Sequence, residues 1–214
     1  MRSLLHKFNI RRCLSINTQN NKHQLSLWIG CNSCPPKGMK MQKLSTEELL
    51  AQYSEGKRNF NAIDLSGDNL FQADLAEINL SGSVLRRAYL PYGNLSQANL
   101  YKTELQDAEL GDIQLYQANL SEANLSGANL SRANLRHANL QGANLQKANL
   151  QGADLYNADL SNADLRYADL SRANLEKAKL TKAQLAGCNL FRSRLVDLSD
   201  ADCDRTTIGP EGYR

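Results

Sequence analysis

The amino-acid sequence predicts an all-β solenoid, a fold in which short extended segments wind into stacked coils. Three observations support this prediction: a leucine stands at every fifth position from Leu65 to Leu195, an alanine usually precedes it by two positions, and the glycines concentrate at one place in the five-residue unit. Aromatic residues make up only 6% of the chain, so leucine and alanine must fill the core. No apolar run approaches the roughly 20 residues of a membrane-spanning helix. The five cysteines, an odd number, argue against a secreted disulfide scaffold.

The head of the chain, residues 1–44, differs in composition from the rest. It holds eight basic residues and no acidic one, whereas residues 45–214 hold 17 basic and 22 acidic residues. We expect this head to be a separate, disordered segment. Three interpretations stay open: an extension upstream of a true start at Met39 or Met41, an organelle-targeting segment, or a translated but disordered tail. The expected location is the cytoplasm, or the plastid or a lumen if the head is a targeting segment.

Residues 45–57 are expected to form an N-terminal capping helix. Ser45 and Glu48 have the spacing of a capping box, in which each side chain accepts a hydrogen bond from the other residue's backbone N–H. Gly56 suits the left-handed conformation that often follows the end of a helix. We therefore predict a short amphipathic helix over residues 46–55, with its apolar face covering the start of the repeats.

The repeats occupy residues 58–204 and comprise 28 consecutive units centred on Phe60 and the leucines that follow. A period of five fits neither an α-helix, where steps of about 500° would scatter the leucines around the cylinder, nor a long strand, where they would alternate between faces. Each unit is therefore predicted to be a three-residue extended segment, with alanine and leucine inward and Asn or Asp outward, followed by a two-residue corner. Glycines such as Gly67 and Gly82 stand at the second corner position, where a type II turn needs positive φ.

The repeated unit resembles the A(D/N)LXX unit of the pentapeptide repeat family, as in Ala123-Asn-Leu-Ser-Gly127 and Ala153-Asp-Leu-Tyr-Asn157. The resemblance implies a right-handed quadrilateral β-helix with four units per coil and hence about seven coils. The segment from Leu49 to Phe60 looks like the N-terminal cap of cyanobacterial members. The end of the chain looks like their C-terminal tail, which we place at residues 205–214.

No catalytic or metal-binding pattern is evident. The three histidines lack spaced partners, and Cys31 and Cys34 form a lone C-x-x-C pair. A zinc site needs two further ligands, which Cys13 and His23 could in principle supply. We interpret these two thiols as reduced. Cys188 occupies an alanine position and is expected to be an inert core residue. The sequence therefore predicts no enzyme, no cofactor and no metal.

Two groups of outward-facing side chains are candidate partner-binding sites. With four units per coil, residues 20 positions apart stack, so Tyr116, Arg136 and Tyr156 form a column at about 5 Å spacing, in which cation–π contacts can form. The second group belongs to the first two coils and consists of Phe71, Arg86, Arg87, Tyr89 and Tyr92. Aromatic and arginine side chains are enriched in binding hot spots. The alternative, that both groups are solvated corners without a partner, stays open.

These features favour a non-catalytic interaction, scaffold or regulatory module that binds an unidentified protein partner as a monomer. The alternative is mimicry of DNA directed at DNA gyrase, which the resemblance implies because some members of that family act in this way. Residues 57–195 carry 15 basic and 14 acidic residues, whereas duplex DNA carries one negative charge about every 1.7 Å. The apolar dimerisation helix of those members also has no counterpart after Leu198. Nucleic-acid binding is therefore not expected, unless the basic head is translated and supplies it.

Overall fold

The computed structural model describes residues 41–194 and 197–212, and the predictions made for the head lie outside these ranges. The described chain begins with strand β1 (Gln42–Lys43), helix α1 (Thr46–Ser54) and strand β2 (Ile63–Asp64). The two strands pair in parallel, with Gln42 opposite Ile63. Within the described ranges, no helix is both long and apolar enough to cross a bilayer.

Helix α1 begins at the capping box predicted from the sequence. The Ser45 side chain accepts a hydrogen bond from the Glu48 N–H at 3.2 Å, and the Glu48 carboxylate accepts one from the Ser45 N–H at 3.0 Å. Glu55 is the C-cap residue, one position earlier than expected, and Gly56 follows with φ of 95°. The predicted left-handed residue after the helix is thus confirmed.

The helix is attached to the first repeats through two side chains. Leu49 is fully buried and belongs to the same apolar core as the repeat leucines. The Tyr53 hydroxyl donates a hydrogen bond to the Ala76 carbonyl at 2.8 Å. Because burying a leucine contributes about 2 kcal/mol, this contact holds the amphipathic helix against the repeats.

The repeats form a ladder of parallel bridges between residues that are 20 positions apart. The ladder runs from Asn59 opposite Asn79 to Asn174 opposite Arg194, which places four five-residue units in each coil. From Leu65 onward, every described repeat leucine is at most 1% exposed, apart from one at 6%. The leucines therefore fill the interior, as the period of five predicts.

The unit centred on Leu145 shows how the backbone is satisfied. Ala143 donates its N–H across the corner to the previous leucine carbonyl at 3.0 Å, and Asn144 donates to the preceding coil at 2.9 Å. Leu145 and Lys147 both donate to the following coil, at 2.7 and 3.0 Å. The fifth N–H, on Gln146, donates to the side-chain Oδ1 of Asn144 at 3.1 Å. Every N–H in the unit has an acceptor, as buried backbone requires.

The Asn or Asp position therefore has a role beyond facing outward. Its oxygen closes an Asx turn onto the first corner residue, and the same bond recurs along the stack, for example from Ser126 to Asn124 at 3.2 Å and from Ser161 to Asp159 at 3.0 Å. Tyr89 has no such oxygen, but the first corner residue that follows it is Pro91, which has no N–H. Donor and acceptor are lost together.

The second corner residue has positive φ in almost every described unit. The prediction made from the glycines is confirmed at Gly67, with φ of 72°, and it extends to Lys147 and Asn157, with φ of 58° and 56°. A left-handed conformation costs a non-glycine residue roughly 1–2 kcal/mol. The bond that this residue donates to the following coil, together with the corner bond, keeps it there.

Two exceptions in the alanine position are matched to their neighbours. Ile113 is fully buried, and the residue one coil earlier is Gly93, where an added Cβ would lie 3.1 Å from a backbone carbonyl and 4.0 Å from the Ile113 Cδ1. Thr103 is also fully buried, and its hydroxyl donates to the Leu80 carbonyl at 3.2 Å. The bulk and the polarity of these residues are therefore accommodated locally.

The C-terminal residues continue the ladder with shortened offsets. Asp202 pairs with Gln184 and Ile208 pairs with Asn189, so the last segment returns after 18 and 19 residues instead of 20. The Thr207 hydroxyl donates to a carbonyl of the preceding coil at 2.8 Å. Part of the tail expected over residues 205–214 thus joins the stack, and the Pro210 carbonyl accepts a further hydrogen bond from the Arg192 N–H at 2.7 Å.

Replacing the turn-closing side chain tests the Asx bond. Asn144→Ala leaves the Gln146 N–H without its acceptor and should lower the free energy of unfolding by about 1 kcal/mol. Asn144→Asp keeps the oxygen and should be nearly neutral. Gln184→Ala is the matched control, because no turn bond from that side chain is present, and it should change stability by less than about 0.5 kcal/mol. Chemical denaturation curves measure all three, and equal losses for both alanine variants would contradict the role of the bond.

The two described cysteines should differ in reactivity. Burial raises the pKa of the Cys188 thiol to about 12, and because the thiolate is the reactive form, about one molecule in 10⁴ is reactive at pH 8. Cys203 is exposed, although partial burial also raises its pKa. Iodoacetamide should therefore label Cys203 in the native protein and Cys188 only after unfolding. Peptide mass spectrometry measures both, and equal native labelling would contradict the packing.

Candidate functional site

An aromatic cluster, formed by Phe71, Tyr89 and Tyr92, lies on the surface of the first two coils. The Phe71 ring stacks on Tyr89 with centroids 6.0 Å apart and meets Tyr92 edge-on, also at 6.0 Å. The three residues are 47%, 43% and 56% exposed. Mutual contact fixes the rings, yet about half of their surface faces solvent.

The register of the ladder explains how these rings meet. Asn69 is opposite Tyr89, so Tyr89 lies on the flat wall and Tyr92 lies at the corner above Phe71. A single coil spacing is about 4.8 Å, which is within the range of centroid distances that aromatic pairs prefer. Tyr89 reaches the surface because it replaces the usual Asn or Asp, and Pro91 makes that replacement tolerable for the backbone.

Arg86 and Arg87, which the sequence placed in the same group, occupy the preceding corner. The Arg86 guanidinium is 3.2 Å from the Glu104 carboxylate, and that of Arg87 is 4.0 Å from Asp107. They border a surface recess of about 690 Å³, lined by Ser66, Gly67, Arg86, Arg87, Gln106 and Asp107. The structure therefore separates the predicted group into an exposed aromatic surface and a recess whose two arginines each lie near a carboxylate.

The second predicted group, the corner ridge, consists of Tyr116, Arg136 and Tyr156. The Arg136 guanidinium lies 4.5 Å from the centroid of the Tyr156 ring and 3.1 Å from the Asp154 carboxylate. The expected cation–π contact between Tyr116 and Arg136 is not among those of the described residues. Tyr116 instead meets the edge of the His137 ring, at 5.7 Å.

Sequence reasoning missed the part that His137 has in the ridge. Its ring also meets Tyr156 edge-on, at 5.9 Å, and its Nδ1 is 3.0 Å from the Asn157 amide nitrogen. His137 is 21 positions after Tyr116 and 19 before Tyr156, so a comparison restricted to steps of 20 does not find it. The sequence did place His137 at a second corner position, in the coil between those of Tyr116 and Tyr156.

Ion pairs between neighbouring coils and within one coil make the surface electrically mixed. The Arg132 guanidinium is 2.6 Å from the Asp112 carboxylate, and this bond lowers the pKa of Asp112 below its usual range. Arg166 is likewise 2.6 Å from Asp164 and lowers the pKa of that carboxyl. Both carboxylates are therefore ionised at neutral pH and paired with arginine.

The described ranges show no arrangement of three or more His, Cys, Asp or Glu side chains suited to a metal ion. The polar groups on successive walls repeat along the stack and do not converge on one point. The features that distinguish one part of this surface from another are the aromatic cluster, the corner ridge and the recess beside Arg86.

Comparison with solved structures returns several repeat proteins. HetL from the cyanobacterium Nostoc sp. strain PCC 7120, described as involved in heterocyst differentiation regulation, is 30% identical over 79% of this chain and 98% of its own, with a TM-score of 0.34. A protein of the Arabidopsis thaliana thylakoid lumen is 30% identical over 56% and 70%, with a TM-score of 0.27. QnrB1, a plasmid-mediated fluoroquinolone resistance protein, is 21% identical over 68% and 79%, with a TM-score of 0.47. No curated protein matches the chain significantly.

The family comparison is more direct. The family model described as pentapeptide repeats matches eight copies over residues 69–107, 113–152 and 153–192, which together are more than half of the chain. These ranges lie within the ladder of 20-residue steps and contain most of its buried leucines. The chain belongs to the pentapeptide repeat family, whose members fold as right-handed quadrilateral β-helices.

Proposed function

We propose that this protein is a non-catalytic interaction module that binds a protein partner through its aromatic cluster. The observation that supports this most directly is that Phe71, Tyr89 and Tyr92 contact one another and are still 43–56% exposed. Isolated exposed apolar residues need no explanation, but contiguous exposed rings are typical of interaction sites. Their fixed positions also reduce the entropy that binding costs.

The corner ridge is the weaker of the two surfaces. Tyr116 and Tyr156 are partly buried, because His137 and Arg136 cover part of their rings. The Arg136 guanidinium is also engaged by Asp154. A partner that used the ridge would have to compete with these contacts, so we assign it a secondary part in binding.

The architecture that presents these surfaces is part of the proposal. We assign α1 as the cap of the first coil, and we extend the 20-residue step over about seven coils. The protein acts as a monomer in this proposal. A regulatory role is the form of interaction that we favour, since HetL is described as taking part in regulation, and the cytoplasmic location stays a prediction.

Mimicry of DNA toward gyrase remains the disfavoured alternative. Acidic side chains along the stack pair with basic ones, as in Arg132–Asp112, Arg166–Asp164 and Arg136–Asp154. A surface that imitates a duplex needs unneutralised negative charge at about one per 1.7 Å. The observed pairing opposes that requirement.

Removing the rings should abolish partner recruitment. The triple variant Phe71→Ala/Tyr89→Ala/Tyr92→Ala should lose a partner that the wild type retains from a lysate of the source cells, because truncating central aromatic side chains commonly weakens binding by about tenfold or more each. The variant Tyr116→Ala/Arg136→Ala/Tyr156→Ala should weaken recruitment less. Quantitative mass spectrometry of the retained proteins measures both effects.

Tyr167→Ala is the matched control, because Tyr167 is 64% exposed and is outside both surfaces. It should retain the partner at the wild-type level. Circular dichroism and unfolding curves confirm that each variant is folded. Recovery of the same proteins by the cluster variant and the wild type would refute the proposed site.

A further inference from the structure

The first coil has an open backbone edge directly beside the aromatic cluster. In every later coil, the wall residue and first corner residue of this face bond to the coil before them. The Tyr89 N–H donates to the backbone carbonyl of Asp68 at 2.9 Å. The Tyr89 carbonyl accepts from the Leu70 N–H at 2.8 Å, and the Pro91 carbonyl accepts from the Gln72 N–H at 3.1 Å. The same three groups in the first coil are the N–H and carbonyl of Asn69 and the carbonyl of Phe71. Among the described residues, none of the three has a partner.

Other parts of the same edge are already covered by the chain itself. Strand β1 pairs in parallel with β2 along one wall, with Lys43 opposite Asp64. At another corner, the Tyr53 hydroxyl donates a hydrogen bond to the Ala76 carbonyl. Strand β1 shows that an extended segment can pair in parallel with the first coil, as one coil pairs with the next. The wall at Asn69 is exposed. Unpaired strand edges of this kind are sites at which another chain can add a strand.

The charge of this edge specifies what can add to it. Residues 58–77 contain four acidic residues and one basic residue, Arg58, and Lys43 of strand β1 lies opposite Asp64. The edge still has more acidic than basic groups, and no described basic group forms an ion pair with any of the four carboxylates. Asp68 points inward at the alanine position of this wall, and its Oδ2 is buried without a hydrogen-bond partner. A hydrogen-bond donor on an incoming segment would supply the partner that the Asp68 Oδ2 lacks.

We infer that a short, extended, basic segment of a partner protein adds to the first coil at Asn69 as a further parallel strand. Its backbone makes the three missing hydrogen bonds to Asn69 and Phe71. A lysine or arginine side chain reaches Asp68, and the residue at its corner lies over Phe71. This inference rests on the proposed interaction function and specifies the chemistry of the partner.

The test uses the full chain and short random peptides displayed on phage, followed by synthetic copies of the enriched sequences. Enriched peptides should carry lysine or arginine among apolar residues. In the free protein, the Asn69 amide should exchange rapidly with deuterated solvent, and peptide binding should slow its exchange by about tenfold or more. Nuclear magnetic resonance of ¹⁵N-labelled protein measures this amide directly.

Two variants separate the edge from a general apolar attraction. Phe71→Ala should weaken peptide binding by about tenfold, whereas Phe191→Ala, at the same corner of the last complete coil, should not change it. Asp68→Ala installs the usual residue of this position, so the fold is retained, and it should weaken binding of basic peptides several-fold. Fluorescence anisotropy of labelled peptides measures these affinities.

Three results would overturn the inference: no enriched peptide, an Asn69 amide already protected in the free full chain, or peptides whose binding needs Tyr156 and ignores Phe71. The second result would mean that another part of this chain, or a second copy of it, occupies the edge. Failure here is distinguishable from failure of the proposed function, because recruitment of an intact partner by the three rings is measured separately with the triple variant.

Discussion

The stack depends on one constraint: a chain that turns a corner every five residues must still give each backbone N–H an acceptor. In the unit of Leu145, three of the five donors bond to neighbouring coils, one bonds across the corner, and one bonds to the Asn144 side chain. The leucines then keep water away from this ladder. The outward Asn meets the requirement for an acceptor directly, because its side chain completes the turn. The inward alanine is small and lets the walls come close to one another.

Two departures from the repeat occur together with a second change that compensates for them. Tyr89 removes a turn acceptor, and Pro91 removes the donor that would need it. Ile113 adds bulk beside Gly93, where a Cβ would already be close to backbone. These exchanges let an individual surface develop without breaking the ladder, and the aromatic cluster is present because of the first of them.

The sequence predicted the features that depend on periodicity alone. The inward leucines, the capping box at Ser45 and the positive φ at the corners all follow from spacing and residue type. The turn bond of Asn144 was not predicted, because an outward position does not reveal what its oxygen accepts. The contact of His137 with two tyrosines was missed for a related reason: spacing places a corner residue, but the direction in which its side chain leans along the axis depends on its rotamer and its neighbours.

The 20-residue step has a consequence for how such a surface changes in evolution. Gain or loss of a single five-residue unit would preserve the core and the ladder, yet it would rotate every later side chain by a quarter turn around the axis. Only a change by a multiple of four units leaves the angular relation between the aromatic cluster and the corner ridge intact. In this architecture, the length of an insertion, more than its sequence, decides whether two distant surface features still face the same way.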